Sequence, residues 1–495
     1  MFSALILSTM LTTDPAVELQ ISVTPDPRKA LWQQQGTELL AQLPAASSFP
    51  TLEFTLTQSG EQLIPQPQGF ITNVHPHWDI ALQAGRLVRN DQNQQFAELP
   101  FALREKNANC IHNGVLNLDL TKQQASFSIA HETCAYLKFN AEGSLQMQLE
   151  ESAANKHTNN MDAVKASPIT AAPWQPTPPQ QHDVTTYGVF AQGEHFQAPC
   201  PGRQGDYQYC SNMAVPAYSL SKSLVAASAF MLLEQRYPGR IAAANIGDYV
   251  PECAAKSWQQ VTFKDALNMT TGHYRSKQHH ADESHPMTVH DFFLVDDHHS
   301  KLAHSCSYEK QTEPGETFVY HSSDTYLLVT ALQNWLNQHA DGIALDTLLY
   351  KEIWQPLALS SVAYSIDHTK DQRRQVWGGY GLTLTPADLV KLSQFIWLDK
   401  GVIAGEQVLE PQLLAQAVGE QDTGIRLPGH TNLRYQLGFW HWQRSDKPQQ
   451  WLTFMSGYGG IAVVFLPDQS FYYLFSDGHD HRFAEALQNW FHQNQ

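Results

Sequence analysis

The chain has 495 residues, enough for two or three domains and a large apolar core. Hydrophobic residues make up 42 %, and no apolar run reaches the ~18 residues of a spanning helix, so no membrane span is expected. A net charge of −17 argues against a nucleic-acid partner, which would call for basic patches.

In chain order, Met1-Phe2-Ser3-Ala4-Leu5-Ile6-Leu7 opens an apolar stretch that suits a signal-peptide core but lacks its positive flank. Residues 1–16 are therefore a candidate signal segment. Residues 17–150 read as a β-rich accessory domain. Short alternating runs such as Thr51-Leu52-Glu53-Phe54-Thr55-Leu56 and Val115-Leu116-Asn117-Leu118-Asp119-Leu120 are separated by turn residues. Nothing in this region has catalytic spacing. Pro168, Pro173, Pro176, Pro178 and Pro179 lie among Ala, Asn, Thr and Gln, which marks 151–184 as a linker.

Order resumes with the strand Thr185–Phe190 and runs to the C-terminus as one unit, 185–495. Near its end, Ile461–Leu466 and Phe471–Phe475 predict a hairpin, and an amphipathic helix follows over Phe483–His492. Strands at both ends with helices between them predict an α+β domain whose antiparallel sheet is completed by both of its termini. The six cysteines, an even count, suit an oxidising compartment, periplasmic or secreted. We expect Cys200–Cys210, and after it Cys110–Cys134 and Cys253–Cys306, although sequence alone leaves the connectivity open. Reduced core cysteines in the cytoplasm are the competing reading.

The chemistry centres on Ser219-Leu220-Ser221-Lys222. It opens a helix whose body is apolar (Leu224, Val225, Phe230, Met231, Leu232) and which stops at Pro238-Gly239. Residues i and i+3 share a helix face, with Cβ atoms roughly 5–6 Å apart. Free N–H groups and the helix dipole at Ser219 favour an alkoxide and disfavour a protonated Lys222. Ser-x-x-Lys alone is a common pattern, and the chain holds an internal control in Ser307-Tyr308-Glu309-Lys310. That copy has no apolar helix behind it and reads as a solvated loop.

Two further segments add to the first. Tyr320 follows a short extended run and leads into an apolar helix; a phenol there could pass a proton between nucleophile and leaving group. Alone, such a tyrosine is more often a core aromatic. Met455-Ser456-Gly457-Tyr458-Gly459-Gly460 opens the penultimate strand, where backbone can approach a ligand and donate an N–H to an oxyanion. Alone, it is an ordinary Gly-rich turn.

Together and in this order, the three segments resemble the serine β-lactamase and penicillin-binding superfamily, in its class C-like branch. The likeness covers roughly residues 185–490 and extends to non-catalytic landmarks. These are Val261–Gly272 with its Met-x-Thr-Gly end, Ile353-Trp354-Gln355-Pro356-Leu357 with Ala358 in place of the family's glycine, and the helix start Gly378–Leu389. The resemblance implies an acyl-enzyme hydrolase with Ser219 as nucleophile, Lys222 as general base and Tyr320 assisting. Ser322, Ser456, Gly457 and Tyr458 would serve substrate and oxyanion, with neither metal nor cofactor. Whether Lys222 or an ionised Tyr320 is the acylation base stays open.

Two departures bear on the substrate. Ser322 replaces the asparagine of Tyr-x-Asn, and Met455 stands where antibiotic-active members carry Lys or His. Both favour the esterase and 6-aminohexanoate-oligomer hydrolase branch and a small ester or amide over β-lactams or D-amino-acid peptides. A reading of another class rests on His273, His279, His280, His285, His290, His298, His299 and His304, interleaved with Asp282, Glu283, Asp296 and Asp297. That composition suits a metal-binding module, but it lacks the His-Glu-x-x-His spacing of a catalytic site. We read it instead as an acidic, solvated insertion beside the cleft. A catalytically silent binding protein on the same fold is the third reading, and oligomeric state is not legible.

Overall fold

A computed structural model describes residues 18–25, 48–59, 62–89, 95–106, 109–134, 137, 139, 141–152, 166–178, 183–202, 205–253, 257–421 and 424–494. The candidate signal segment lies outside the described residues, as do 153–165 and 179–182 of the linker.

The N-terminal region forms ten strands: β1 (Glu18–Pro25), β2 (Leu52–Ser59), β3 (Gln62–Gln66), β4 (Gly69–Ile71), β5 (Trp78–Leu82), β6 (Gly85–Arg89), β7 (Gln95–Glu105), β8 (Ile111–Asp119), β9 (Gln124–Thr133) and β10 (Ala141–Ser152). The period-two pattern sends Leu19, Ile21 and Val23 to full burial opposite Leu52, Phe54 and Leu56. Strand order runs β7-β6-β3-β2-β1-β10-β9-β8, and β8 pairs back onto β7. Eight antiparallel strands thus close into a barrel, with β4 and β5 extending from β7. Closure removes exposed edges, and eight strands leave an interior that side chains can fill. Phe54, Leu99, Phe101, Leu116 and Phe127 belong to that core.

The second sheet has nine strands: β11 (Ser167–Pro168), β12 (Val184–Ala191), β13 (Glu194–Gln197), β14 (Ile425–Arg426), β15 (Leu433–Gln436), β16 (Phe439–Gln443), β17 (Trp451–Gly457), β18 (Ile461–Phe465) and β19 (Phe471–Ser476). Their order is β11-β13-β12-β19-β18-β17-β16-β15-β14. The pairing of β12 with β19 joins the two ends of the domain, as the sequence led us to expect. One face packs on the main apolar core with α1 (Ser228–Arg236), α2 (Ser322–His339) and α3 (Pro386–Trp397). The other face is covered by Phe483, Trp490 and Phe491 together with Ile169 and Trp174. The final helix is two short ones, Phe483–Ala486 and Gln488–Gln493, with Leu487 between them.

All six cysteines are paired, as Cys110–Cys134, Cys200–Cys210 and Cys253–Cys306. The three disulfides fit an extracytoplasmic setting. No described helix is long and apolar enough to cross a membrane.

Barrel and sheet domain share a boundary that combines apolar contact with buried polar bonds. Phe70, Ala81, Ala102 and Ile111 of the barrel meet Ala214 and Val362. The Asn113 amide donates to the Ala214 carbonyl (2.8 Å) and accepts the Ala214 N–H (2.9 Å), bonding as a neighbouring strand would. Arg104 of β7 is 2 % exposed and lies between Asp79 and Asp367, at 3.1 Å from each. It also donates to the Ser365 carbonyl at 2.9 Å.

The landmark Ala358 sits at φ 50°, in the left-handed region. A Cβ is costly there, which is why glycine suits the position. Ala358→Gly is therefore expected to raise stability by up to about 1 kcal/mol, read as a higher urea midpoint at unchanged slope.

Candidate active site

Ser219 is placed by two devices. Val215–Pro216 pairs with Thr383–Leu384 in a two-residue ladder, and the Ala217 N–H bonds to the Leu382 carbonyl (2.8 Å). Tyr218 then adopts φ 41°, a left-handed conformation that a bulky residue rarely holds. The chain turns there, so that the Ser219 carbonyl accepts the Lys222 N–H at 3.1 Å. Residues Lys222–Ala227 are π-wound and continue into α1.

Lys222 is 2 % exposed, and its Nζ donates to Ser219 Oγ (2.9 Å), Ser322 Oγ (2.8 Å) and the Gly379 carbonyl (3.0 Å). Burial pulls its pKa down to about 8, against an opposing pull from the Glu283 carboxylate. Tyr320 donates its hydroxyl to Ser219 Oγ at 2.8 Å. Its ring stacks near Trp440 (5.8 Å), meets His280 (4.8 Å) and lies 5.0 Å from Lys222 Nζ. Burial, then the Glu283 charge, pushes this phenol well above its ordinary value, so it stays protonated.

The family landmarks support this cluster from behind. Thr262 and Asp265 form a capping box, the Met269 carbonyl accepts the Val319 N–H (3.0 Å), and Thr271 bonds to Asp324 (3.2 Å). These contacts hold the extended approach to Tyr320. Gly378, at φ 70°, has a Val329 methyl where a Cβ would go (2.4 Å), and so lets Gly379 reach Lys222.

Of the residues expected to serve substrate, Gly457 ends β17 against the Ala217 carbonyl, 3.0 Å from where a Cβ would be. Ser456 precedes it, partly exposed, and Tyr458 is half exposed, edge-on to Tyr218 (5.7 Å) and His479 (4.8 Å). Ser322 does not line open space: it is 2 % exposed and held between Lys222 and Glu283. Met455 is fully buried in the same apolar cluster as Leu220 and Leu224. The second Ser-x-x-Lys copy stands apart, with Ser307 bonded to the His304 carbonyl and Lys310 to Glu313.

The histidine-rich insertion divides into packing and rim. His273 stacks on Trp258 (4.0 Å), His298 bonds to the Tyr326 hydroxyl (2.7 Å) and His304 to that of Tyr308 (3.2 Å). His279 and His280 stand at the cleft mouth, with His279 near His430 (5.2 Å) and Trp440 (6.1 Å). Among the described residues, the one grouping of three potential metal donors within 4.8 Å is Cys110, His112 and Cys134, whose sulfurs are already joined. Sequence reasoning missed Glu283 as part of the site. Its acidic and histidine-rich surroundings matched a solvated loop, and nothing in them marks a residue that reaches Ser322.

Fold and site together are those of a hydrolase of the serine β-lactamase superfamily. The Beta-lactamase family model matches residues 149–489, and the chain belongs to that family. No curated protein matches it. Among solved structures it is similar to a putative 6-aminohexanoate-dimer hydrolase from Bacillus anthracis, at 15 % identity and TM-score 0.46 over 67 % of this chain and 89 % of that one. It is similar to EstCE1, a hydrolase with promiscuous acyltransferase activity, at 14 % and 0.47 over 62 % and 93 %. For D-alanine carboxypeptidase AmpC from Burkholderia cenocepacia the values are 14 % and 0.44 over 63 % and 95 %.

Proposed function

We propose that this protein hydrolyses a small ester or amide through an acyl-enzyme on Ser219. The observation that carries the reading is the convergence of Lys222 Nζ (2.9 Å) and Tyr320 Oη (2.8 Å) on Ser219 Oγ. With its pKa near 8, Lys222 is neutral in about a tenth of molecules at pH 7, enough to serve as base. It takes the Ser219 proton as Oγ attacks the carbonyl carbon. Tyr320, protonated at rest, passes its proton to the departing oxygen or nitrogen and recovers one from Lys222. The backbone N–H groups of Ser219 and Tyr458 are the proposed oxyanion donors. Water then attacks the acyl carbon by the reverse path and frees Ser219. The three disulfides favour a periplasmic or secreted location.

Substrate preference follows from what stands near the nucleophile. Ser322 is already engaged by Lys222 and Glu283, and Met455, turned into the apolar core, brings no cation to the cleft, so at neither position does a β-lactam carboxylate find a charge-assisted partner. One such bond is worth about 1.5–3 kcal/mol. Short-chain p-nitrophenyl esters are expected to turn over with kcat/KM about ten- to a hundredfold above nitrocefin, with an intact mass showing acyl on the Ser219 peptide. Nitrocefin turnover rivalling the esters would overturn this preference.

A further inference from the structure

The insertion reaches the reacting groups through a matched pair of dipeptides. Asp282 Oδ2 bonds to His321 Nε2 at 3.0 Å and accepts the N–H groups of Arg275 (2.7 Å) and Ser276 (3.2 Å). One residue on, Glu283 Oε2 accepts the Ser322 N–H (2.9 Å) and Oε1 accepts the Ser322 hydroxyl. The hydroxyl has one proton and a carboxylate only accepts, so that proton is committed to Glu283. Ser322 can then show Lys222 nothing but a lone pair, and it does so at 2.8 Å. The Gly379 carbonyl, at 3.0 Å, is a second obligate acceptor. A neutral amine has two N–H bonds. With both directed to Ser322 and Gly379, its lone pair is left facing Ser219.

We infer that Glu283 is a positioning residue for acyl transfer: through Ser322 it aims the Lys222 lone pair at Ser219 and sets the pH at which Lys222 gives up its proton. This rests on the reading of Lys222 as base. Among the described residues, Tyr320 before α2 and His280 on the insertion also face Lys222, and Tyr380, beside Gly379, lies near Glu283. Burial and Glu283 hold both phenols well above their ordinary value. His280 is held low, by desolvation between the cleft walls and then by His279, Lys222, His481 and His430. All three are therefore uncharged at neutral pH, and Glu283 supplies the negative charge.

The anchor titrates above Lys222. Burial alone would depress His321, but Asp324 (3.6 Å) and Asp282 carry it up to about 9. A group whose folded pKa is raised contributes stability fully present below its unfolded value near 6.5 and lost as pH rises through about 9. At the midpoint of Lys222 the anchor is thus still mostly charged and paired, and it loses its charge only toward the top of the tested range.

The test follows the rate of Ser219 phosphonylation by a fluorophosphonate across roughly pH 6 to 9. In the unaltered protein the acid limb is expected near 8. In E283Q, which keeps the shape and removes the charge, it is expected to move down by at least about half a unit, with a plateau about tenfold lower. E283D, which keeps the charge, should hold the limb within about 0.3 unit of the unaltered protein. A purely structural role would lower the plateau or the Tm and leave the limb in place. Labelling of Ser219 with an unmoved limb in E283Q overturns the inference and leaves the proposed function standing. Absence of Ser219 labelling in the unaltered protein overturns both. Should E283Q not fold, E283A removes the same charge and must move the limb in the same direction; an unmoved limb there overturns the inference equally.

Discussion

Replacing Ser219 with alanine is expected to lower ester turnover by about 10⁴-fold or more, while the far-UV spectrum and Tm stay close to those of the unaltered protein. The loss is large because nucleophile and base act as one unit, and removing either removes the covalent route. The fold should survive because the Ser219 side chain is partly exposed and its partners, Lys222 and Tyr320, keep other contacts. Lys222→Met is expected to cost a similar factor, since no other group can take the Ser219 proton once Tyr320 is held protonated. Ser307→Ala should change nothing, because that hydroxyl is bonded to its own turn at His304. Turnover that survives Ser219→Ala and falls with Ser307→Ala would reverse the assignment of the two motif copies.

The largest expected effect on stability lies far from the nucleophile, at Arg104. Arg104→Met leaves the Asp79 and Asp367 carboxylates, 1 % and 0 % exposed, facing each other without the guanidinium between them. Removing one partner of a buried ion pair costs about 3–5 kcal/mol, because the remaining charge stays desolvated. Lys106, at 3.4 Å from Asp79, and Lys370, at 3.7 Å from Asp367, soften the penalty and do not abolish it. Urea unfolding is the measurement, with Asp367→Asn in the same background expected to recover part of the loss. A change below about 1 kcal/mol would mean that barrel and sheet domain are not coupled through this cluster.

Much of the architecture was legible because it is written in local periodicity. Leu52, Phe54 and Leu56 alternate, and so predict strand; Leu224, Val225 and Leu232 follow Ser219, and so predict its buried helix. Closure of the barrel was not legible, since the pairing of β8 with β7 depends on register between whole strands rather than on any local pattern. At the site, the motif spacing pointed to Ser219, Lys222 and Tyr320, which the fold brings within hydrogen-bond reach. It gave no hint of side-chain direction. Met455 occupies the position where antibiotic-active relatives carry a cation, yet its side chain is buried in the apolar core. Ser322 was read as a substrate contact, yet its hydroxyl is taken by a carboxylate 39 residues away in sequence. A contact across that distance leaves no trace in composition.

The histidine rim has a consequence for how a substrate arrives. Burial and neighbouring imidazoles hold His279, His280 and His481 below their ordinary value, so these rings are uncharged at neutral pH. These aromatic rings stand in a molecule that carries a net charge of −17. Its long-range field repels anions, and these three rings supply no local charge to draw them back. Encounter with the proposed neutral ester is then expected to be governed by diffusion and by contact with the half-exposed Tyr458, and it should respond little to ionic strength.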